Sequence, residues 1–188
     1  MKTPTLETER LILRPISLDD APAVQKYFNN WKIIQNLSLG VPWPYPDDGA
    51  ETFIKNVALK KMNEQTGIVW ALKLKAAPEE TVGMIDFSFE DNAEQGNRGF
   101  WLAEHLQGQG LMSEAITATQ DFLFFEHGME KFIVTNVKTN EASRKVKQKT
   151  GAKFIGMQKL MHHNGIDDSE LWEVTSENWT KIRGRSID

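Results

Sequence analysis

The order strand, glycine turn, long helix, strand between residues 97 and 137 restricts this chain more than any other stretch of it. Gly99-Phe100-Trp101-Leu102-Ala103 reads as the end of a strand over 97–103. Leu111, Ala115, Ala118, Phe122 and Phe125 mark an apolar stripe at helical spacing over 111–127, closed by Gly128. The next run, 131–137, is rich in β-branched residues and reads as a strand. Two strands joined through a helix require a crossover, so they should lie parallel in one sheet. Gly108-Gln109-Gly110 falls where the helix begins. The first turn of a helix leaves N–H groups unpaired, and the helix dipole adds positive charge there. Glycines let an anion approach those groups closely. The stretch from Gln107 to Ser113 is therefore a candidate cradle for the phosphates of a nucleotide-like cofactor. The alternative is an ordinary loop, because short glycine motifs recur by chance.

The 188 residues suit one domain with a sizeable core. The absence of cysteine excludes disulfides, thiolate metal sites and a cysteine nucleophile. Residues 1–14 carry charges throughout and lack the apolar core of a secretion signal, and no apolar run is long enough to span a bilayer. The expectation is a cytoplasmic protein without a membrane partner. A net charge of −4 argues against nucleic acid as the main partner.

Upstream of the crossover, 11–15 reads as a strand and 18–28 as a helix capped by Ser17. Val41-Pro42-Trp43-Pro44-Tyr45-Pro46 cannot form a regular helix or central strand. It presents Trp43 and Tyr45 either as a cover for the core or as a wall of a substrate cleft. A helix follows from Asp47-Asp48, with Phe53, Ile54, Val57 and Ala58 as its apolar face. Runs 68–74 and 81–89 make a hairpin, and 97–103 extends the meander. After the crossover comes a short helix over 140–150, then a hairpin turning at His162-His163-Asn164-Gly165. Its two histidines read as part of a solvated turn rather than a metal site. Lys145, Lys147 and Lys149 with Arg144 read as a basic patch, part of it solvated face and part of it suited to the outer phosphate of a cofactor, and 176–188 as a frayed polar tail.

This layout resembles the GNAT superfamily of acetyl-CoA-dependent N-acetyltransferases. The signature loop of that superfamily is Gln or Arg, two residues, Gly, one residue, then Gly or Ala. Here it reads His105-Leu106-Gln107-Gly108-Gln109-Gly110, matching both glycines and departing at His105. The chain is most similar to the branch that acetylates ribosomal-protein N-termini, the RimJ/RimL type. Thr8-Glu9-Arg10-Leu11-Ile12-Leu13-Arg14-Pro15, the proline-aromatic loop, Gly108 to Ala115, and Asn140-Glu141-Ala142-Ser143 followed by Gly151 carry the likeness in order. The resemblance implies an α+β fold: a V-shaped, mostly antiparallel mixed sheet with one splayed parallel pair, flanked by helices. It implies acetyl-CoA as cosubstrate and no metal. The pantetheine arm would run beside Trp101, Leu102 and Ala103. The pyrophosphate would sit on the N–H groups of Gln107, Gly108, Gln109, Gly110, Leu111, Met112 and Ser113, with Asn140 across the cleft. A walker-type loop is excluded because no Gly-Lys-Ser/Thr follows the glycines, and the third glycine of a dinucleotide fingerprint is missing.

The implied reaction is direct attack of a primary amine on the thioester, with a protein N-terminus as acceptor. A small-molecule amine, or a CoA-binding module without catalysis, is the alternative. Trp43 and Tyr45 would shape the acceptor site. Many superfamily members carry a tyrosine seven residues after the Asn as proton donor. That position is Lys147 here, and Ser143 is the donor the branch suggests, with a helix-cap role as its alternative. Many members place a Glu near Asn97 and Arg98, where this chain has none. Glu90, Glu104 and Asp86 are the nearby carboxylates to consider as base, against a plain role as solvated rim charges. Glu114, in the first helical turn, has a structural reading. The assembly expected is a monomer or homodimer.

Overall fold

A computed structural model describes residues 2–89 and 96–185. Eight strands form one sheet in the order β1-β2-β3-β4-β5-β6-β8-β7. They are β1 (Leu6–Glu7), β2 (Leu11–Pro15), β3 (Gly67–Leu74), β4 (Gly83–Ser88), β5 (Gly96–Leu102), β6 (Lys131–Val137), β7 (Lys153–Lys159) and β8 (Asp168–Thr175). Every pairing is antiparallel except β5 with β6. The expected crossover and its parallel pair are therefore present. That pair is short: Gly96 faces Phe132 and Asn97 faces Ile133, and the ladder then stops although both strands run on.

Two core clusters lie on opposite faces of the sheet, which explains the uninterrupted apolar run of β3. Successive side chains alternate between faces, so a strand covered on both sides must be apolar at every position. Ile68, Trp70 and Leu72 pack with Leu11, Leu13, Ile85 and Phe87 against α5 (Leu111–Asp121) and its continuation, a π turn over Phe122–Glu126. Val69 and Ala71 pack with Met84 and Trp101 against α1 (Ala21–Phe28), α2 (Trp31–Ile34) and α3 (Gly49–Phe53). A π turn, Ile54–Ala58, joins α3 to α4 (Leu59–Asn63). That turn shifts the helical phase, so Val57, expected on the apolar face, is 44% exposed while Ile54 and Ala58 are fully buried.

Three other expectations need correction. The 176–188 tail is not frayed over its described part: α7 (Ser176–Arg183) is capped by Thr175 and buries Trp179, whose Nε1 donates to Asp121. The histidine hairpin is not solvated. His162 is buried, and the turn docks through His163 Nε2 on the Val41 carbonyl and through Asn164 N on that of Gln35. Lys147 does not belong to a solvated patch either; it is 1% exposed. Among the described residues no cluster of three or more His, Asp or Glu side chains forms a metal site, and no helix is long and apolar enough to cross a membrane.

Strand β2 is tied to the start of α1 by a buried carboxylate. Asp20 is 3% exposed and accepts hydrogen bonds from Arg14 at 2.6 and 3.0 Å, from Thr81 Oγ1 at 2.6 Å and from Ser17 N at 2.8 Å. Burial pushes its pKa up, but Arg14, Thr81 and Ser17 outweigh burial and hold it below its ordinary value. Removing one partner of such a group leaves the other charge uncompensated. Asp20→Ala is expected to lower stability by about 3 kcal/mol in chemical denaturation. A carboxylate with a depressed folded pKa stabilises above its unfolded pKa and loses that stabilisation as pH falls through the folded one. The difference between wild type and variant should therefore shrink in acid.

Candidate active site

The gap between β5 and β6 is where chemistry-bearing residues from four elements meet. Beyond Asn97, β5 has β4 on one edge and no strand on the other. Its open edge runs from Arg98 to Leu102 and leads into the loop 103–110. One carbonyl of that edge is capped locally, because Gln107 Nε2 donates to Leu102 O at 2.9 Å. Leu102 and Ala103 are buried, and Trp101 turns its ring into the α1 face, so only their backbone can line the gap.

The glycine loop has the geometry expected of an anion cradle. Gly108 and Gly110 hold φ of 76° and 81°, in the left-handed region, and Gly110 is the residue capping α5. Nothing lies within 4 Å of where a Cβ on Gly108 would stand, so the space above the loop is open. The loop is braced from below. Arg10 Nη1 donates to the Gln109 carbonyl at 3.1 Å, and the same guanidinium grips Glu114 on α5 at 2.7 Å. Glu114 also accepts from Thr8 Oγ1 and Arg10 N. Its carboxylate thus pins α5 to the β1–β2 turn, which fits its structural reading. Met112 is buried under the helix start, and Ser113 is half-buried. His105, the departure from the signature, packs on Tyr27 with ring centroids 5.5 Å apart.

The other side of the gap comes from α6 (Glu141–Lys149). Asn140 caps it, its Oδ1 accepting from Ser143 N at 3.0 Å. Ser143 Oγ in turn accepts from Lys147 Nζ at 2.6 Å, one helical turn on. Burial first, and the charge of Arg98 second, push Lys147 down to about 7, with Glu170 opposing. Its Nζ lies 5.6 Å from the ring centroid of Phe100, on the open part of β5. Arg98 is also buried; it donates to Gln120 Oε1 at 2.7 Å and lies over the Phe132 ring, and burial lowers it to about 9. Across β6, Glu170 accepts from Arg144, Asn136 and Trp172. Arg98 and Glu170 carry no functional reading in the sequence, and Lys147 carries one only as the residue at the family's tyrosine position and as part of the basic patch. Spacing carries a signal for Lys147: Ser143, Lys147 and Thr150 recur at four and three residues, the inward face of α6.

The carboxylates considered as bases do not converge on the gap as free groups. Glu104 sits at a shallow groove with Lys26, Tyr27, Asn29, Asn30 and His105. Hydrogen bonds from Lys32 and then Asn30 hold its pKa below the ordinary value. Asp86 accepts from Lys61 at 2.5 Å. Glu90 lies outside the described residues. Tyr45 is 8% exposed, stacked edge-on against Phe28 at 5.2 Å, so its ring belongs to the core. Trp43 stays partly exposed, 5.0 Å from Trp31.

Comparison with known proteins turns these features into a family assignment. The family model described as an acetyltransferase (GNAT) domain matches residues 10–153. An uncharacterized N-acetyltransferase, YoaA of Bacillus subtilis (strain 168), is 25% identical over 179 residues, covering 91% of this chain and 96% of that protein. Among solved structures, the ribosomal-protein-S5-alanine acetyltransferase of Vibrio fischeri superposes with a TM-score of 0.80 at 20% identity, covering 94% of this chain and 98% of that one. RimJ of Mycobacterium smegmatis, in complex with a CoA disulfide, superposes with a TM-score of 0.81 at 17% identity, covering 98% of each chain. At those identities the two structures speak for the fold, the splayed mixed sheet expected from the sequence. The family match itself runs from β2 through the glycine loop and α6 to the start of β7, and on that ground the chain belongs to the GNAT acetyltransferase family.

Proposed function

We propose that this protein works as a single acetyltransferase domain that moves acetyl from acetyl-CoA to a primary amine by direct attack, with a protein N-terminal α-amine as acceptor. One observation carries the reading: the open backbone edge of β5 leads directly into two left-handed glycines at the N-terminus of α5. These residues fit an extended thioester that ends in phosphates. Backbone of Trp101 to Ala103 would hold the pantetheine arm as an added strand would be held. The N–H groups from Gln107 to Ser113 would take the pyrophosphate, and the empty space at Gly108 leaves room for it. Acetyl-CoA supplies the activated acetyl group, and a backbone N–H near Leu102 and Ala103 is suited to polarise its carbonyl. Ser143, on the inward face of α6, is the group proposed to protonate the departing thiolate.

The acceptor reading is supported by the state of the two described carboxylates. Glu104 and Asp86 are each held by a lysine, so neither is a strong free base. An α-amine titrates near about 7.7–8.0 and a lysine amine near about 10.4. An N-terminal amine loses its proton to water or to a weak base at neutral pH, and a lysine does not. The ribosomal-protein-S5-alanine acetyltransferase among the structural neighbours supports this choice, because alanine has no side-chain amine.

Thiol release measured over a panel of N-terminal peptides, lysine peptides and polyamines should give turnover for the first class. Acetyl-CoA binding without turnover on any amine would overturn the enzyme reading. Gly108→Trp fills the open space above the loop and should abolish CoA binding by calorimetry. Gly108→Ala, which only forces a Cβ into the left-handed region, should lose far less. Unchanged affinity in Gly108→Trp would put the phosphate site elsewhere. Ser143→Ala should lower kcat by about 10²-fold while sparing CoA affinity.

A further inference from the structure

Lys147 is the buried titratable group for which packing gives no account. A lysine ammonium is costly to bury and is normally paired with a carboxylate. Here the one hydrogen bond the described structure gives Nζ is to Ser143 Oγ, at 2.6 Å. The nearest charges on the packed elements are Arg98 of β5, which repels it, and Glu170 of β8, which is already taken by Arg144, Asn136 and Trp172. The geometry has a direction. Because Nζ donates to Ser143 Oγ, the serine's own hydrogen is left for a partner other than Lys147. Phe100, 5.6 Å from Nζ, lies on β5 past the last parallel pair, so the Lys147–Ser143 pair sits beside the gap.

We infer that Lys147 is the positioning residue of a proton relay in which it recharges Ser143 as Ser143 protonates the leaving thiolate. The inference rests on the acetyl-transfer reading and adds a component to it. As the nitrogen–carbon bond forms and the carbon–sulfur bond breaks, the electron pair stays on sulfur. The Ser143 hydroxyl gives its proton to that sulfur, and the Lys147 ammonium gives one of its protons to Ser143 Oγ, leaving a neutral amine. The attacking nitrogen releases its proton to solvent, and solvent returns one to Lys147. A lysine titrating near neutrality can give and regain a proton in each cycle; an ordinary lysine, near 10.5, gives it up poorly.

The test needs no acceptor amine. The thiol of CoA bound to the protein is titrated by thiolate absorbance, in wild type, Lys147→Met and Ser143→Ala. A hydrogen bond from Ser143 stabilises the thiolate, with Lys147 behind it as a donor whether charged or neutral, so the bound thiol in wild type should be about tenfold more acidic than free CoA. Either substitution should return it to the free value without loss of CoA affinity. Equal acidity in all three proteins would overturn the relay, with acetyl transfer intact. Failure of wild type to bind CoA would overturn the acetyl-transfer reading, and the relay with it. Lys147→Met should fold, because a chain of similar length replaces a buried cation, and Ser143→Ala carries the test if it does not. A second readout uses the unliganded protein. The unfolded chain keeps the Lys147 proton up to about 10.5, whereas the folded chain releases it from about 7. Wild-type stability should therefore rise with pH across that interval more than that of Lys147→Met. Parallel curves would mean that the lysine is not buried as a cation, and the relay would lose its proton source.

Discussion

Everything at this site depends on a parallel pair that lets go. β5 and β6 share two residue pairs and then separate, and buried backbone that leaves a ladder must find other partners or pay a desolvation cost. The chain answers at both lips of the gap with a side-chain amide. Gln107 Nε2 bonds the Leu102 carbonyl where β5 ends, and Asn136 Nδ2 bonds the Val137 carbonyl where β6 ends. Between the lips the wedge is aromatic and cationic: Phe132 lies under Arg98, and Phe100 lies under Lys147. Side chains of this bulk keep the strands apart while leaving the β5 edge free to accept a ligand as though it were a strand.

The charges below the gap are arranged unevenly, and that unevenness matters more than any single group. On the β8 side Glu170 accepts from Arg144, Asn136 and Trp172. Burial would raise its pKa, but Arg144 and Asn136 outweigh burial and hold it below its ordinary value. On the β5 side two cations share the interior with no carboxylate of their own among the described residues, and both are shifted down by burial. A protein that wanted only stability would fill that volume with apolar side chains. Keeping Lys147 there costs folding free energy, and the cost makes sense when its proton is used.

Much of the fold was legible in the residues, for identifiable reasons. Strands β2 to β6 declare themselves through short apolar, aromatic or β-branched runs between turn residues, and the crossover follows from chain order alone. The glycine loop was legible because left-handed backbone demands glycine at both positions where it occurs. What escaped was burial hidden by polar composition. α7 reads as a charged tail because one residue, Trp179, does most of its packing. Lys147 reads as surface because its neighbours Lys145, Gln148 and Lys149 are exposed. Tyr45 sits in a loop whose prolines announce rigidity but not which way the ring points; its inward turn needs Gly49, where any Cβ would meet the ring at 2.8 Å. Sequence position cannot reveal that Lys32 and Lys61 hold Glu104 and Asp86, contacts that side with the rim-charge reading of both.

The departure at His105 then ceases to be an anomaly. A long polar residue at the first position of the signature is one way to fix a glycine loop; this chain fixes it from two other directions. At the start of the loop, His105 packs on Tyr27 with the two rings tilted, and so ties the loop to α1. Below, Arg10 holds the Gln109 carbonyl and Glu114 together, joining loop, helix and the β1–β2 turn. Glu114 itself is bound by three donors from that turn, so the brace is a closed network rather than a single surface pair. A loop held at its start and from below can keep its N–H groups aimed outward before any anion arrives. Preorganisation of that kind is what an anion cradle requires, because donors that must reorganise on binding lose part of what they contribute.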